Sequence, residues 1–339
     1  MPDAAWFLAR TDEIVEDVLF PSAAQVDRAD RIPEEHLDLL ASEGFYGVAA
    51  PPEEGGLGPD MTTAAYQLEA LASGCLATTF VWMQHHGAVL AAAFSDRPGV
   101  QERWLRPLAR GERRGGIALT GLRPGAALLK VRPVTGGYLL DGQAPWVTGW
   151  GMIDVLYLGA RDDADLVHFF LMDAAPADTL SVVRQQLTAA HASSTVTLRF
   201  TGHFVPEDRL VATQPHEAWV GDDAAGSALN GFLALGVVRR CCRLLGPGPL
   251  DEELPAARAA LLAADAATTA VARAAASELA LRASAMLSVR RGSRSVLADD
   301  PASRSIREAA FLLVFGTRPT IRDALLDRFG ASTISSGTG

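Results

Sequence analysis

Trp146 and Thr148 stand two residues apart in the stretch Gln143-Ala144-Pro145-Trp146-Val147-Thr148-Gly149-Trp150-Gly151, which runs on into the apolar residues 153–158. On a strand, residues i and i+2 point to the same face. An indole and a hydroxyl so placed can cover a planar ring and hydrogen-bond its edge, which is what a flavin site asks for. From this stretch alone a plainer account is sufficient, a Trp in a sheet core with a Thr at a strand end. His85 and His86 are adjacent on a candidate helix. Helical neighbours diverge by about 100°, so the two rings are poorly placed to share a metal. One ring buried and hydrogen-bonded with the other meeting solvent is the expectation, and no metal site is predicted. Glu217, Asp222, Asp223 and Glu308 could in principle serve as a base, but each reads as a solvated helix residue.

A sheet set between helices is needed to position the Trp/Thr pair. Over residues 3–20 the apolar Phe7, Ile14 and Val18 suit an amphipathic helix stopped by Pro21, and a second helix opens at Ile32-Pro33-Glu34-Glu35 and ends at Gly44. After a Pro/Gly-rich turn over 47–58, residues 61–74 and 76–94 read as Ala-rich helices and 100–110 as a short one. Strand periodicity covers 116–120, 138–140, 153–160, 166–172 and 195–200, with Gly136-Gly137 as a hairpin turn. Tight turns with little room for crossovers predict an antiparallel barrel or sandwich. Helix returns over 218–245, 254–290, 303–315 and 319–329. On the longest, Leu261, Thr268, Val271, Ala275, Leu279 and Met286 recur at helical steps, as on a bundle helix.

The resulting fold class is α+β, mostly α. It divides into an N-terminal helical domain (1–112), a middle small β-barrel domain (113–212), a C-terminal helical bundle (213–330) and a disordered tail (331–339). At 339 residues with 49% apolar and 21% charged side chains, the chain can build large cores, which excludes general disorder. A formal charge of -10 without a basic stripe excludes a nucleic-acid footprint. Lys130 is the single lysine. Cys75, Cys241 and Cys242 make neither a disulfide framework nor a metal spacing, and no apolar run reaches the roughly 18 residues of a membrane span. With no leader pattern at the N-terminus, the chain is expected to be cytoplasmic.

The run Asp141-Gly142-Gln143-Ala144-Pro145-Trp146-Val147-Thr148-Gly149 resembles the acyl-CoA dehydrogenase family, whose Trp-Ile/Val-Thr motif follows a Gly-Gln/Lys hairpin. Two further matches fall in the family's order. Pro52 to Gly58 resembles its Pro-Glu-x-x-Gly-Gly-x-Gly turn, one residue shorter, and Val205-Pro206-Glu207-Asp208-Arg209-Leu210-Val211 resembles its exit from the barrel. The resemblance covers the whole chain apart from a shortened C-terminus.

It implies FAD as cofactor and an acyl thioester, on CoA or a carrier protein, as the molecule from which two hydrogens are removed at Cα and Cβ. It implies cofactor contacts from Trp146 and Thr148, from Thr120 at the ring's polar edge and from the backbone of Leu119. The family then continues Thr-Glu-Pro-Gly-x-Gly-Ser-Asp, whereas this chain has Thr120-Gly121-Leu122-Arg123-Pro124-Gly125-Ala126-Ala127, without the Ser that holds the pyrophosphate. The family's catalytic Glu lies in a Tyr-Glu-Gly-Thr segment, for which residues 311–339 show no match, or beside an Arg on the first bundle helix. The positions corresponding to the latter are Leu229 and Asn230. The catalytic residue is therefore unassigned. Three functions follow: an FAD-dependent dehydrogenase with an unrecognised base, a degenerate partner subunit completing a paralogue's site, or a flavin enzyme of another reaction type. Association into homo- or hetero-oligomers through the C-terminal bundle is expected.

Overall fold

The computed structural model describes residues 3–58 and 60–330. The disordered tail expected over 331–339 lies outside the described residues. Helix α1 (Ala4–Ile14) begins at Asp3, whose carboxylate accepts the Trp6 N–H. It does not stop at Pro21. A π-helical stretch, Val15–Leu19, carries it into α2 (Phe20–Arg28); the wider turn absorbs a residue that has no N–H to leave unpaired. Helix α3 (Glu34–Ser42) ends against Gly44, at φ +76°. Helix α4 (Met61–Gly74) is capped by Asp60 and leads through Cys75 into α5 (Leu76–Ala93); a one-turn α6 (Arg106–Ala109) follows.

Strands β1 (Gly115–Ala118), β2 (Leu129–Val134), β3 (Gly137–Val147), β4 (Val155–Arg161), β5 (Leu166–Asp173), β6 (Leu180–Arg184), β7 (Val196–Pro206) and β8 (Leu210–Pro215) form one sheet. Its order is β6-β7-β3-β2-β4-β5-β8, with β1 beside β4. Pairing is mostly antiparallel, as expected, but β1 runs parallel to β4 and β2 meets β4 through a single parallel pair, Lys130 opposite Arg161. That pair is the fold line of the sheet. The two halves close over one apolar core that includes Leu140, Leu156, Phe170 and Leu198. Because β6 and β8 each have one partner strand, the small barrel is open along that side. The β2/β3 turn is Thr135-Gly136, one residue before the expected Gly136-Gly137, since Gly137 already pairs with Val134.

Helix α7 (His216–Ala225) is separated from α8 (Gly231–Leu245) by a 3-10 turn, Gly226–Asn230, so the single helix expected over 218–245 is two. The expected 254–290 helix is likewise divided into α9 (Leu250–Leu262) and α10 (Thr269–Arg291). Asp265 makes the break by accepting the Ala267 and Thr268 N–H groups. The expected inward stripe on this helix is overturned at Val271 and Met286, which are exposed; Ala272, Ala276, Ala280, Ala283 and Leu287 face the core. The bundle ends with α11 (Pro301–Val314) and α12 (Pro319–Arg328). Among the described residues no helix is long and apolar enough to cross a membrane, and no cluster of metal-ligating side chains occurs.

Helix α5 joins these parts. Its first half, with Leu76, Phe80 and Trp82, lies in the helical core, and its second half, with Ala88, Val89 and Ala92, packs against Val155, Phe169 and Leu171 of the sheet. The approach to β1 is close: a Cβ on Gly115 would lie 2.6 Å from Ala88 Cβ, and one on Gly87 would lie 2.7 Å from Ile117. His85 pins the joint. Its Nδ1 accepts the Gly115 N–H at 2.8 Å, which leaves the ring proton on Nε2 to be donated to the Tyr46 carbonyl at 3.1 Å. His86 is half-buried, and what it shows to solvent is not its polar edge. Both its ring nitrogens are buried without a partner, and the ring packs edge-on against Trp82 at 4.5 Å.

Burial holds His85 neutral far below the ordinary range and pushes His86 down to about 4. As pH falls below the unfolded value of 6.5, the unfolded chain takes up protons that the folded chain does not. Stability present above pH 6.5 is therefore lost as pH falls towards about 4. Urea midpoints at successive pH values should fall across this window, and His86→Phe should flatten the slope by up to about 1.4 kcal/mol per pH unit. An unchanged slope would place the titration elsewhere.

Candidate functional site

A cleft of about 540 Å³ opens between α5, the ends of β1 and β3, α7 and the C-terminal end of α11. Small-molecule sites span about 300–1,000 Å³. Leu119, Thr120, Trp146 and Thr148, the four residues predicted to touch a cofactor, all line it. They arrive by a different route from the one expected. Strand β1 ends at Ala118, and Thr120–Leu122 is a 3-10 turn, so Leu119 and Thr120 sit at the mouth of the strand rather than within it. On β3 the register slips between Ala144 and Val147, opposite Leu198 and Val196 of β7, which inserts one residue. The bulge puts Trp146 in the left-handed region at φ +61°. Simple alternation therefore does not relate Trp146 to Thr148. The indole stands on the rim, 55% exposed, while Thr148 is buried below it.

The polar groups facing the cleft are poorly satisfied. Thr148 Oγ1 lies 3.3 Å from Thr195 Oγ1, which lies 2.8 Å from Ser193 Oγ, a chain of buried hydroxyls that ends at the cleft wall. The Gln84 amide, 7% exposed, lines the same wall. Among the described residues no side-chain hydrogen bond involves Gln84, Thr120, Arg123 or Asn230. Buried amides and hydroxyls are normally paired, so an indole, the unpaired Thr120 hydroxyl and the unpaired Gln84 amide around one void fit a planar, heteroatom-edged ring. Opposite them Phe80, Phe311 and Phe315 form an apolar wall, with Phe80 edge-on to Phe315 at 4.8 Å and Phe311 stacked on Phe315 at 5.7 Å.

Asp223 is the single carboxylate lining the cleft among the described residues. It is bound by Arg318, whose Nη2 and Nε donate to Asp223 Oδ2 at 2.5 and 3.1 Å. Of the other acids considered, Glu217 and Asp222 are exposed outside the cleft. Glu308 corrects the expectation of a solvated residue. It is buried on α11, with Arg304 at 3.6 Å, and burial pushes its carboxyl up to about 7, but it does not line the cleft.

The two positions matching the alternative base are placed differently: Leu229 packs against the helical core, and Asn230 faces the cleft. One relevant segment escapes the sequence reading. After α11 the chain reads Val314-Phe315-Gly316-Thr317, and Phe315 and Gly316 line the cleft. The Gly-Thr half of Tyr-Glu-Gly-Thr is thus present, with Phe315 where the Glu stands. The pair is too short to find by spacing alone; its position directly after the last long helix is the signal that would have revealed it.

Residues 2–112 match the family model described as Acyl-CoA dehydrogenase, N-terminal domain. That N-terminal third of the chain is similar to the acyl-CoA dehydrogenase family. A short-chain specific acyl-CoA dehydrogenase of Clostridium acetobutylicum is 27% identical over 214 residues, covering 60% of this chain and 56% of that protein. The aligned part thus spans little more than half the length of such curated relatives. In three dimensions the likeness is wider: butyryl-CoA dehydrogenase from Megasphaera elsdenii superposes with a TM-score of 0.83 at 18% identity, covering 98% of both chains. PigA with FAD and proline gives 0.81 at 17% identity, covering 97% of both. These two likenesses show the fold.

Two substitutions separate the bulge from the hydroxyl chain. Trp146→Gly relieves a left-handed position that costs an L-residue about 1 kcal/mol, so the urea midpoint should hold or rise. Thr148→Val removes a buried hydroxyl and should cost about 1 kcal/mol. A large loss in Trp146→Gly would mean that the exposed ring carries packing the structure does not show.

Proposed function

We propose that the chain is a flavin-dependent oxidoreductase that holds FAD in this cleft and acts on an acyl thioester, carried on CoA or on a carrier protein, at its Cα–Cβ bond. The convergence of Leu119, Thr120, Trp146 and Thr148 on one cleft, in a chain similar to this family, is the observation that supports it. FAD, when bound, supplies the acceptor for the two electrons. Trp146 would cover the ring from the rim, Thr148 and Thr120 would hydrogen-bond its edge, and Leu119 would offer backbone. The Phe80/Phe311/Phe315 wall would hold the acyl chain and exclude water from the reacting carbons.

A second reading, a subunit that binds these molecules but needs a catalytic paralogue, is favoured by one observation. A base must stand within hydrogen-bond reach of the proton it takes. The one carboxylate lining the cleft, Asp223, is committed to Arg318, and Phe315 stands where the family's Glu is found. In that reading the partner is a homologue and the contact runs through the C-terminal bundle, where α10 exposes Val271 and Val289.

The visible spectrum of the purified chain, alone and with any co-encoded homologue, tests both. About one FAD per chain, bleached by an acyl thioester, is the expected result for the first reading. A colourless chain that turns yellow only with its homologue overturns it. Phe315→Glu supplies the missing carboxylate: bleaching by the same thioester should rise roughly 100-fold if the base alone is lacking. No gain in a variant that keeps its flavin would show that the cleft does not present Cα to position 315.

A further inference from the structure

The end of the cleft beside Gly316 carries an unbalanced charge. Arg123 and Arg318 line it, and Arg273 lies directly behind, 2% exposed. Arg318 has Asp223. Arg273 has no carboxylate; it spends its Nη groups on two backbone carbonyls, Ser227 O at 2.6 Å and Phe315 O at 3.1 Å, and its Nε is buried without a partner. The Arg123 guanidinium makes neither a hydrogen bond nor an ion pair among the described residues. The three guanidinium groups feel one another: burial, then Arg318 and Arg123, push Arg273 down to about 10, and burial, then Arg318, lower Arg123. Three positive charges against one carboxylate leave a surplus of two.

This surplus faces the end of the cleft lined by Asn230 and Gly316, where a side chain on the glycine would be crowded. Gly316 has φ +62°, and a Cβ on it would lie 3.2 Å from Asn230 Nδ2 and 3.6 Å from Arg273 Nη2. Donors and positive charge thus converge where the backbone presents no side chain. Isolated buried charge is costly unless it is paired, and guanidinium forks match planar oxyanions. The apolar wall of Phe80, Phe311 and Phe315 leads to this end of the cleft, which suits a short carbon chain with an anionic end.

We infer that the Arg123–Asn230–Gly316 end of the cleft binds a carboxylate carried by the acyl group, so that the preferred thioester is a half-thioester of a dicarboxylic acid. The inference rests on the reading of the cleft as an acyl-thioester site. Asn230 and Arg123 act as specificity-determining residues, Arg273 and Arg318 supplying the field. An anionic oxygen group could also come from the cofactor's pyrophosphate, and the test separates the two sources.

Calorimetric titration of the purified full chain with S-succinyl-pantetheine and S-butyryl-pantetheine, matched in length and differing in the carboxylate, is the experiment. Succinyl should bind about tenfold more tightly or better, and the preference should shrink with added salt. Arg123→Gln should bring the two ligands to within about twofold of each other while the FAD count per chain stays unchanged. Asn230→Leu, at a second position, should reduce the same preference without touching the guanidinium and serves if Arg123→Gln does not fold. Equal binding of the two thioesters to the native chain overturns the inference. So does an Arg123→Gln chain that loses FAD yet keeps the preference, since the guanidinium would then belong to the pyrophosphate. A colourless native chain that still prefers succinyl would defeat the flavin reading and leave the carboxylate site standing.

Discussion

One hydrogen-bonded joint holds the cleft in being. Helix α5 can lie against the sheet because Gly87 and Gly115 bring backbone to backbone, and His85 ties that contact to a third element by accepting from Gly115 and donating to Tyr46. The tautomer is fixed by the geometry, since an imidazolium could not accept the Gly115 N–H. One wall of the cleft is the same helix one turn earlier, at Phe80, Met83 and Gln84. Moving α5 away from β1 would separate this wall from Thr120 and Thr148 at once. The site is built on a rigid helix–strand contact, which places side chains more closely than loops can.

Around that frame the electrostatics are inverted from what proton abstraction asks. A base site needs a carboxylate that is reachable and unpaired. Here the reachable carboxylate is locked by Arg318, and Glu308, which is buried, belongs to a separate cluster with Arg304. What the cleft offers instead is surplus positive charge and unpaired donors. The aromatic wall sharpens this, because a low-polarity surface beside a guanidinium strengthens its attraction for an anion.

The fold was largely legible in the sequence because its signals are local. Gly44, Asp60 and the Pro/Gly turn over 47–58 punctuate the helices where the structure breaks them. Departures arose where tertiary contacts override local pattern. Pro21 is absorbed by a π turn that no spacing announces. Strands β2 and β6 are short and half polar, and take their strand character from their neighbours in the sheet. For the candidate site, the four residues read from the sequence line one cleft, but the expected geometry does not hold: Trp146 and Thr148 share it through a bulge and not through alternation. The role proposed for Arg123 was out of reach, since only the structure shows that residues 123, 230, 273 and 316, scattered over one helix, one 3-10 turn and two loops, come together.

The near-exclusive use of arginine has a chemical consequence of its own. Of 30 basic residues one is lysine, Lys130, which sits on β2 at the surface, 3.6 Å from Asp163. Thioesters transfer their acyl groups spontaneously to free amines, and a guanidinium that never loses its proton is not such a nucleophile. If the cleft takes the thioester proposed for it, the protein is therefore largely proof against being acylated by its own ligand. Its one ε-amino group lies on the β2 face of the barrel, outside the set of residues lining the cleft.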